Sequence, residues 1–293
     1  MDKIVVFTDA DLDGACSYLC VKWLLGRNVE YHATTVKKFR NDWNHWLQSN
    51  DPKMFKKILI LDIDVSKYVD LIDLPNVVVV DHHFTHNPSV YKHCTKIVSV
   101  TTSNVKLLRQ TLLKNVVLTA EQEELINIVD DYDCYKIANT KSIPLNFVFW
   151  GYKGDRIKQF IQDFDKGFNG FTTFQLNLAS FATKRLKEHL DNSIIYYNDN
   201  GTYSIGAIVG DFAINEIAHF TLNKVKCDVC IVVNSGLRKL YVRKNKTSKV
   251  NVFEVVRDIT GKPGEGHEFA CGGEMTDMFI NYTKSLQPYE HSK

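Results

Sequence analysis

The chain has 293 residues, 44% of them hydrophobic and 24% charged, with 36 Lys and Arg against 34 Asp and Glu for a formal net charge of +2. That composition is that of a globular protein with room for one large or two ordinary domains. It disfavours a protein that coats long nucleic acid through bulk charge. No apolar stretch approaches the roughly 18 residues that span a bilayer, and the short apolar run at the N-terminus ends in carboxylates, unlike a secretory signal. Seven scattered cysteines suit a reducing, cytoplasmic setting better than a disulfide framework.

In chain order, Lys3–Phe7 is a continuously apolar run, the pattern of a strand buried on both faces of a parallel sheet. It leads into Thr8-Asp9-Ala10-Asp11-Leu12-Asp13-Gly14, and then into a helix that stops near Gly26. A weaker strand around Tyr31–Val36 precedes an aromatic helix with Trp43, Trp46 and Leu47. A second apolar run, Ile58–Leu61, ends in Asp62-Ile63-Asp64, and a third, Val77–Val80, in Asp81-His82-His83. A helix from about Thr119 to Val129 leads into Asp130-Asp131-Tyr132-Asp133. Strands alternating with helices predict a doubly wound α/β layer. In such sheets the carboxyl ends of the strands line the ligand crevice, so four clusters of acids and histidines converge on one edge.

Lys136 to about Asn192 is helical and aromatic-rich, with one helix from Thr172 to Leu190 as a connector. After the turn at Asn198–Gly201, a smaller α/β unit is expected. Its strands are at Tyr203–Val209, Val229–Asn234 and Leu240–Arg243, with helices at Asp211–Leu222 and Val252–Ile259. The domain reading is therefore 1–150, a helical connector over 151–192, and a C-terminal domain over 193–293. Cys227 and Cys230 form a CxxC, but residues three apart in a strand face opposite ways. Two small core residues are the simpler reading.

Several carboxylates sharing a crevice raise one another's pKa unless protons, cations or divalent metals compensate. Carboxylate oxygens with one or two imidazoles suit Mn²⁺, Mg²⁺ or Zn²⁺. A single Asp at a strand end needs no such explanation; four clusters with an adjacent His pair do.

These residues resemble the DHH phosphoesterases. Asp81-His82-His83 after a Val-rich strand resembles the motif that names that family, Asp11-Leu12-Asp13-Gly14 its first motif, Asp62 its second, and Asp131-Tyr132-Asp133 its fourth. Asp9 stands where many members carry His, as in RecJ-type exonucleases. The resemblance implies two metal ions, Mn²⁺ foremost and Mg²⁺ as an alternative. Asp9, Asp11 and Asp62 would hold one ion, and Asp13, Asp62, His82 and Asp131 the other. His83 would face the substrate phosphate, and Asp81 would orient a ligand histidine. Asp64, Asp130 and Asp133 are read as local capping or supporting groups.

Gly264-Glu265-Gly266-His267-Glu268-Phe269-Ala270-Cys271-Gly272-Gly273 resembles the Gly-His motif of the family's C-terminal substrate-binding domain, departing from it at Glu265. Its glycines would let backbone amides approach an anion, reinforced by a following helix N-terminus. Gly266, His267, Gly272 and Gly273 are the implied substrate contacts. Arg243, in the basic run Arg238–Lys249, is the phosphate-binding candidate. The two domains would enclose a cleft that favours short substrates. The implied activity is metal-dependent hydrolysis of a short oligonucleotide or dinucleotide. A RecJ-like single-strand DNA exonuclease, an adenosine bisphosphate phosphatase, a non-hydrolysing nucleotide sensor and an RNA-binding module stay open as alternatives.

Overall fold

The computed structural model describes Lys3–Tyr289, apart from the side chain of His267. The chain divides into two compact units, Met1–Ala182 and Thr183–Lys293. The stretch 151–182, read from the sequence as connector, therefore belongs to the first unit.

The first unit alternates strand and helix: β1 (Ile4–Asp9), α1 (Leu12–Leu25), β2 (Glu30–Thr34), α2 (Phe39–Leu47), β3 (Lys57–Leu61), the single turn α3 (Val69–Ile72), β4 (Val77–Asp81) and β5 (Thr95–Val98). Helices α4 (Asn104–Gln110), α5 (Ala120–Asp133), α6 (Ser142–Gly151), α7 (Arg156–Asp163) and α8 (Thr173–Asn192) follow, the unit boundary falling part-way along α8. The five strands form one parallel sheet in the order β2-β1-β3-β4-β5. The order reverses at β1, which has β2 on one side and β3 on the other. A crevice opens at the carboxyl ends of strands flanking such a reversal.

Local chemistry sets the element ends. Asp11 caps α1 by accepting from the Gly14 amide at 2.9 Å, and Gly26 closes the helix in the left-handed conformation. Every residue from Leu12 to Val21 is buried, which explains why α1 has no polar face: it is an interior helix. Thr119 and Gln122 form a reciprocal capping box at the start of α5. One face of the sheet packs Phe7, Ile58, Ile60, Val77 and Val79 against Phe39, Trp43 and Trp46 of α2. The aromatic helix read from the sequence is thus the cover of that face.

The second unit contains β6 (Tyr196–Asp199), β7 (Ser204–Val209), α9 (Ile214–Val225), β8 (Val229–Asn234), β9 (Lys239–Lys244), α10 (Val252–Thr260), β10 (Glu265–His267), β11 (Ala270–Glu274), α11 (Asp277–Tyr282) and β12 (Gln287–Pro288). They build one mixed sheet, β10-β11-β9-β8-β7-β6-β12, in which only β7 and β8 are parallel. Alternate residues feed two cores: Val229, Ile231, Leu240 and Val242 pack with α10, while Cys230 and Val232 pack with α9.

Two sequence expectations are corrected here. Cys227 precedes β8 rather than lying in it, so it shares the α9-side core with Cys230 instead of facing the other way. Both thiols are free, and burial pushes them up, Cys227 to about 11. The glycine-rich run is a β-hairpin rather than an open loop. Glu265–His267 pair with Ala270–Gly272, and Gly272 and Gly273 pair with Tyr241 and Leu240. Its glycines serve close packing. Gly266 has φ +147°, and a Cβ there would run into the Ala270 carbonyl. A Cβ on Gly273 would meet Val256 at 2.7 Å.

Candidate metal centre

The site forms where β1, β3 and β4 end side by side. β1 delivers Asp9, after which the chain turns tightly into α1. The Ala10 amide donates to Asp9 Oδ1 at 2.6 Å, and Thr8 Oγ1 donates to the Gly14 carbonyl at 2.7 Å. Gly14 lies so close to Asp9 that a Cβ would collide with its carbonyl group. That approach places Asp9, Asp11 and Asp13 on one tight turn.

Asp13 is 1% exposed. Its oxygens accept the amides of Asn104 and Val105 at 2.7 and 2.9 Å, in the first turn of α4. Asp62 follows β3 in the left-handed region, with φ 61°, where Asp is one of the more tolerant residues. His82 follows β4 and gathers three carboxylates. Its Nε2 is 3.1 Å from Asp62 Oδ1, 3.5 Å from Asp133 Oδ2 and 3.8 Å from Asp13 Oδ2. Among the described residues, Asp13–His82–Asp133 and Asp62–His82–His83 are each close enough to ligate one ion.

The fourth acidic motif differs from the sequence reading. Asp130, Asp131 and Asp133 lie in the last turn of α5, not in a loop after it. At about 100° per residue, Asp131 and Asp133 point to opposite sides of the helix, so those two cannot share a target. Asp133 reaches His82. Asp131 instead accepts the amides of Ala138 and Asn139 at 3.0 and 3.1 Å and the Ser142 hydroxyl at 2.6 Å, tying the chain after α5 to the start of α6. Asp130 binds Ser103 and Lys136. Asp133, rather than Asp131, thus lies beside His82 and Asp13. The amphipathic pattern of the helix stopped at Val129 and hid the last turn. Asp64 is a local group, accepting from Ser66 and Thr85.

Asp81 is fully buried and bonds two histidines, His83 Nδ1 at 2.7 Å and His86 Nδ1 at 2.5 Å. His86 also meets the Tyr91 hydroxyl at 2.8 Å. Sequence reasoning missed His86; its position five residues past Asp81 was the available signal. Burial works against the Asp81 charge, but His83 and His86 outweigh it and hold the carboxyl far below the usual range. Burial likewise disfavours the His83 imidazolium, yet Asp81 raises its pKa to about 9. With Nδ1 held by Asp81, any role in chemistry falls to Nε2.

The carboxylates show strong mutual frustration. Burial, then Asp11, raises Asp9 to about 7. Burial, then Asp133 and Asp11, raises Asp13; burial, then Asp13, raises Asp62. Burial also raises Asp133 despite the neighbouring His82. Asp62 Oδ2 and Asp133 Oδ2 are buried without a hydrogen-bond partner. Orphaned buried carboxylate oxygens are costly, and a divalent cation among oxygen and imidazole donors removes that cost. The residues present fit such an ion.

In the second unit, Arg243 Nε donates to Asn215 Oδ1 at 2.9 Å, and Nη1 to the Val242 carbonyl at 3.1 Å. The backbone of His267 lies in β10; its side chain lies outside the described structure. Gly266, Gly272 and Gly273 sit in the hairpin described above.

No family profile matches the chain, and no characterised protein matches it by sequence. Solved structures do. A DHH domain from a member of the S1p family of ribosomal proteins superposes with a TM-score of 0.61 at 12% identity, covering 98% of this chain and 87% of the other. The fold is that of DHH-domain proteins. The pGpG-specific phosphodiesterase PggH of Vibrio cholerae gives a TM-score of 0.59 at 13% identity, with 97% and 96% coverage. The exonuclease RecJ bound to manganese gives 0.57 at 12% identity, with 96% and 88% coverage. No helix among the described residues is long and apolar enough to cross a membrane.

Proposed function

We propose that this chain is a metal-dependent phosphoesterase that hydrolyses phosphate esters of short oligonucleotides or dinucleotides. The observation that carries this reading is His82 ringed by Asp13, Asp62 and Asp133, with two buried carboxylate oxygens that accept no hydrogen bond. The shared fold with a phosphodiesterase and a manganese-bound exonuclease supports it.

In this proposal Asp13, Asp62, His82 and Asp133 hold one divalent ion, and Asp9, Asp11 and Asp62 a second, Mn²⁺ being the first choice and Mg²⁺ the alternative. Such ions supply Lewis-acid neutralisation of phosphoryl oxygens and hydroxide at neutral pH. His83, kept cationic by Asp81, donates from Nε2 to a phosphoryl oxygen as charge develops there. Asp81 orients His83 and His86. Arg243 and His267 of the second unit are proposed contacts to a substrate phosphate.

The test is incubation of the protein with Mn²⁺ and labelled RNA and DNA of two to five nucleotides, alongside a linear dinucleotide, a cyclic dinucleotide, adenosine bisphosphate and long single-stranded DNA. Mononucleotide release from the short substrates is expected. Cleavage of long strands alone would replace this reading with a RecJ-like one. Unchanged ligand in the presence of Mn²⁺ would leave a nucleotide sensor.

A further inference from the structure

The first unit holds an exposed aromatic surface that its metal centre does not use. Of four tryptophans, Trp43 and Trp46 are buried and Trp23 is half-buried, whereas Trp150, at the end of α6, is 52% exposed. It is not loose. The Arg156 guanidinium, in the first turn of α7, lies over the indole at 4.2 Å and over the buried Phe149 ring at 5.6 Å. Phe149 meets the indole edge-on at 5.5 Å.

Arg156 links this stack to the metal centre. Its Nη2 donates at 3.1 Å to the carbonyl of Ala10, the residue between Asp9 and Asp11. Its Nε is buried with no hydrogen-bond partner. The part-buried guanidinium is thus held at once by two aromatic faces and by the Ala10 carbonyl. The indole therefore stands one arginine side chain away from the first-motif turn, with one face covered by the guanidinium.

From this geometry we propose that Trp150, braced by Arg156, is a nucleobase-stacking subsite beside the metal centre, which selects base-bearing phosphodiesters over bare phosphate chains. The proposal rests on the phosphoesterase reading and deepens it by naming what the substrate carries besides phosphate. An aromatic face accepts any base, since every base presents a π-face. One indole with one covered face takes one base, which suits short substrates read without sequence preference. A polyphosphate has nothing to stack there.

The experiment measures binding of linear pApA and of tripolyphosphate to the full chain, with Ca²⁺ replacing Mn²⁺ to suppress turnover. Wild type, Trp150→Ala and Trp150→Phe are compared, and tryptophan fluorescence supplies a second readout. Trp150→Ala is expected to weaken pApA binding by about tenfold or more, the range found for loss of one base–aromatic stack, and to abolish quenching of the exposed indole. Trp150→Phe, which retains a ring, should recover most of the affinity. Mn²⁺ affinity, followed by calorimetry, reports whether the Ala10 turn is intact and should be the same in all three proteins. Equal pApA affinity in Trp150→Ala and wild type would overturn the subsite while leaving the phosphoesterase reading in place. So would a parallel loss of tripolyphosphate affinity, since that reports damage to the metal turn. Wild-type protein that cleaves no phosphodiester but binds pApA in a Trp150-dependent way would support the subsite and sink the enzymatic reading instead.

Discussion

The behaviour of Asp131 and Asp133 separates two uses of the same side chain two residues apart. Asp133 faces His82 with one oxygen orphaned; Asp131 has both oxygens saturated by Ala138, Asn139 and Ser142. Asp133→Asn should weaken Mn²⁺ binding more than the roughly 10- to 100-fold that follows loss of a residue merely orienting a ligand, with little loss of folding stability. Asp131→Ala should do the reverse, costing about 2 kcal/mol or more in denaturant unfolding because it strands buried donors. Titration calorimetry and urea melts on both variants decide the matter; Mn²⁺ binding that disappears only in Asp131→Ala would restore the sequence-based assignment. Asp81→Asn should leave Mn²⁺ affinity near that of the parent and reduce turnover about 10- to 100-fold through misorientation of His83.

At the scale of elements, the join between β1 and α1 depends on Gly14. A methyl group there has to displace the Asp9 carbonyl, which moves the turn that carries three acids. Gly14→Ala should therefore lower Mn²⁺ affinity and stability together, and a variant with wild-type values for both would show that the turn yields easily. Much of this architecture was readable from the chain. Ile58–Leu61 and Val77–Val80 are apolar without alternation because both faces of a central parallel strand are covered. Asp62 and Asp81 mark where each strand stops. Less was readable where tertiary context overrides pattern. β5, with the sequence Thr95-Lys96-Ile97-Val98, is an edge strand with an exposed half, and it carries no continuous apolar signal. The last turn of α5 is acidic because Asp133 meets His82 while Asp130 and Asp131 accept local hydrogen bonds, so hydrophobic periodicity could not extend the helix to Asp133. The glycine run 264–273 has a composition that suits a loop, yet it pairs as a hairpin because its glycines let β10, β11 and α10 approach closely.

For the whole molecule, the raised carboxyls make metal-free stability depend on pH. Asp9 holds its proton to about pH 7 when folded and to about 4 when unfolded. The folded state then binds more protons between those values, so the contribution of Asp9 is full below pH 4 and is lost as pH rises through 7. Asp13, Asp62 and Asp133 act in the same direction. The melting temperature of metal-free protein should fall from pH 5 to pH 8. Mn²⁺ should reverse most of that fall, with the larger gain at pH 8, where the ion displaces fewer protons. A metal-free melting temperature that rises over this range would contradict the buried, mutually repelling cluster. Because the cluster lies wholly in the first unit, hydrogen exchange should show Mn²⁺ slowing amides around β1, β3 and α4 while those of the second sheet keep their rates.

Asp62 concentrates two liabilities in one position, a charge shut away from water and a backbone turned to the left-handed side. Asparagine tolerates that backbone as well as aspartate does and carries no charge, so Asp62→Asn should melt at a higher temperature than the parent when both are stripped of metal, and should gain little when Mn²⁺ returns. In that comparison the better-folded protein is the one that binds metal poorly. The first unit keeps at its centre a residue that costs it stability and that, in the proposed function, holds both ions.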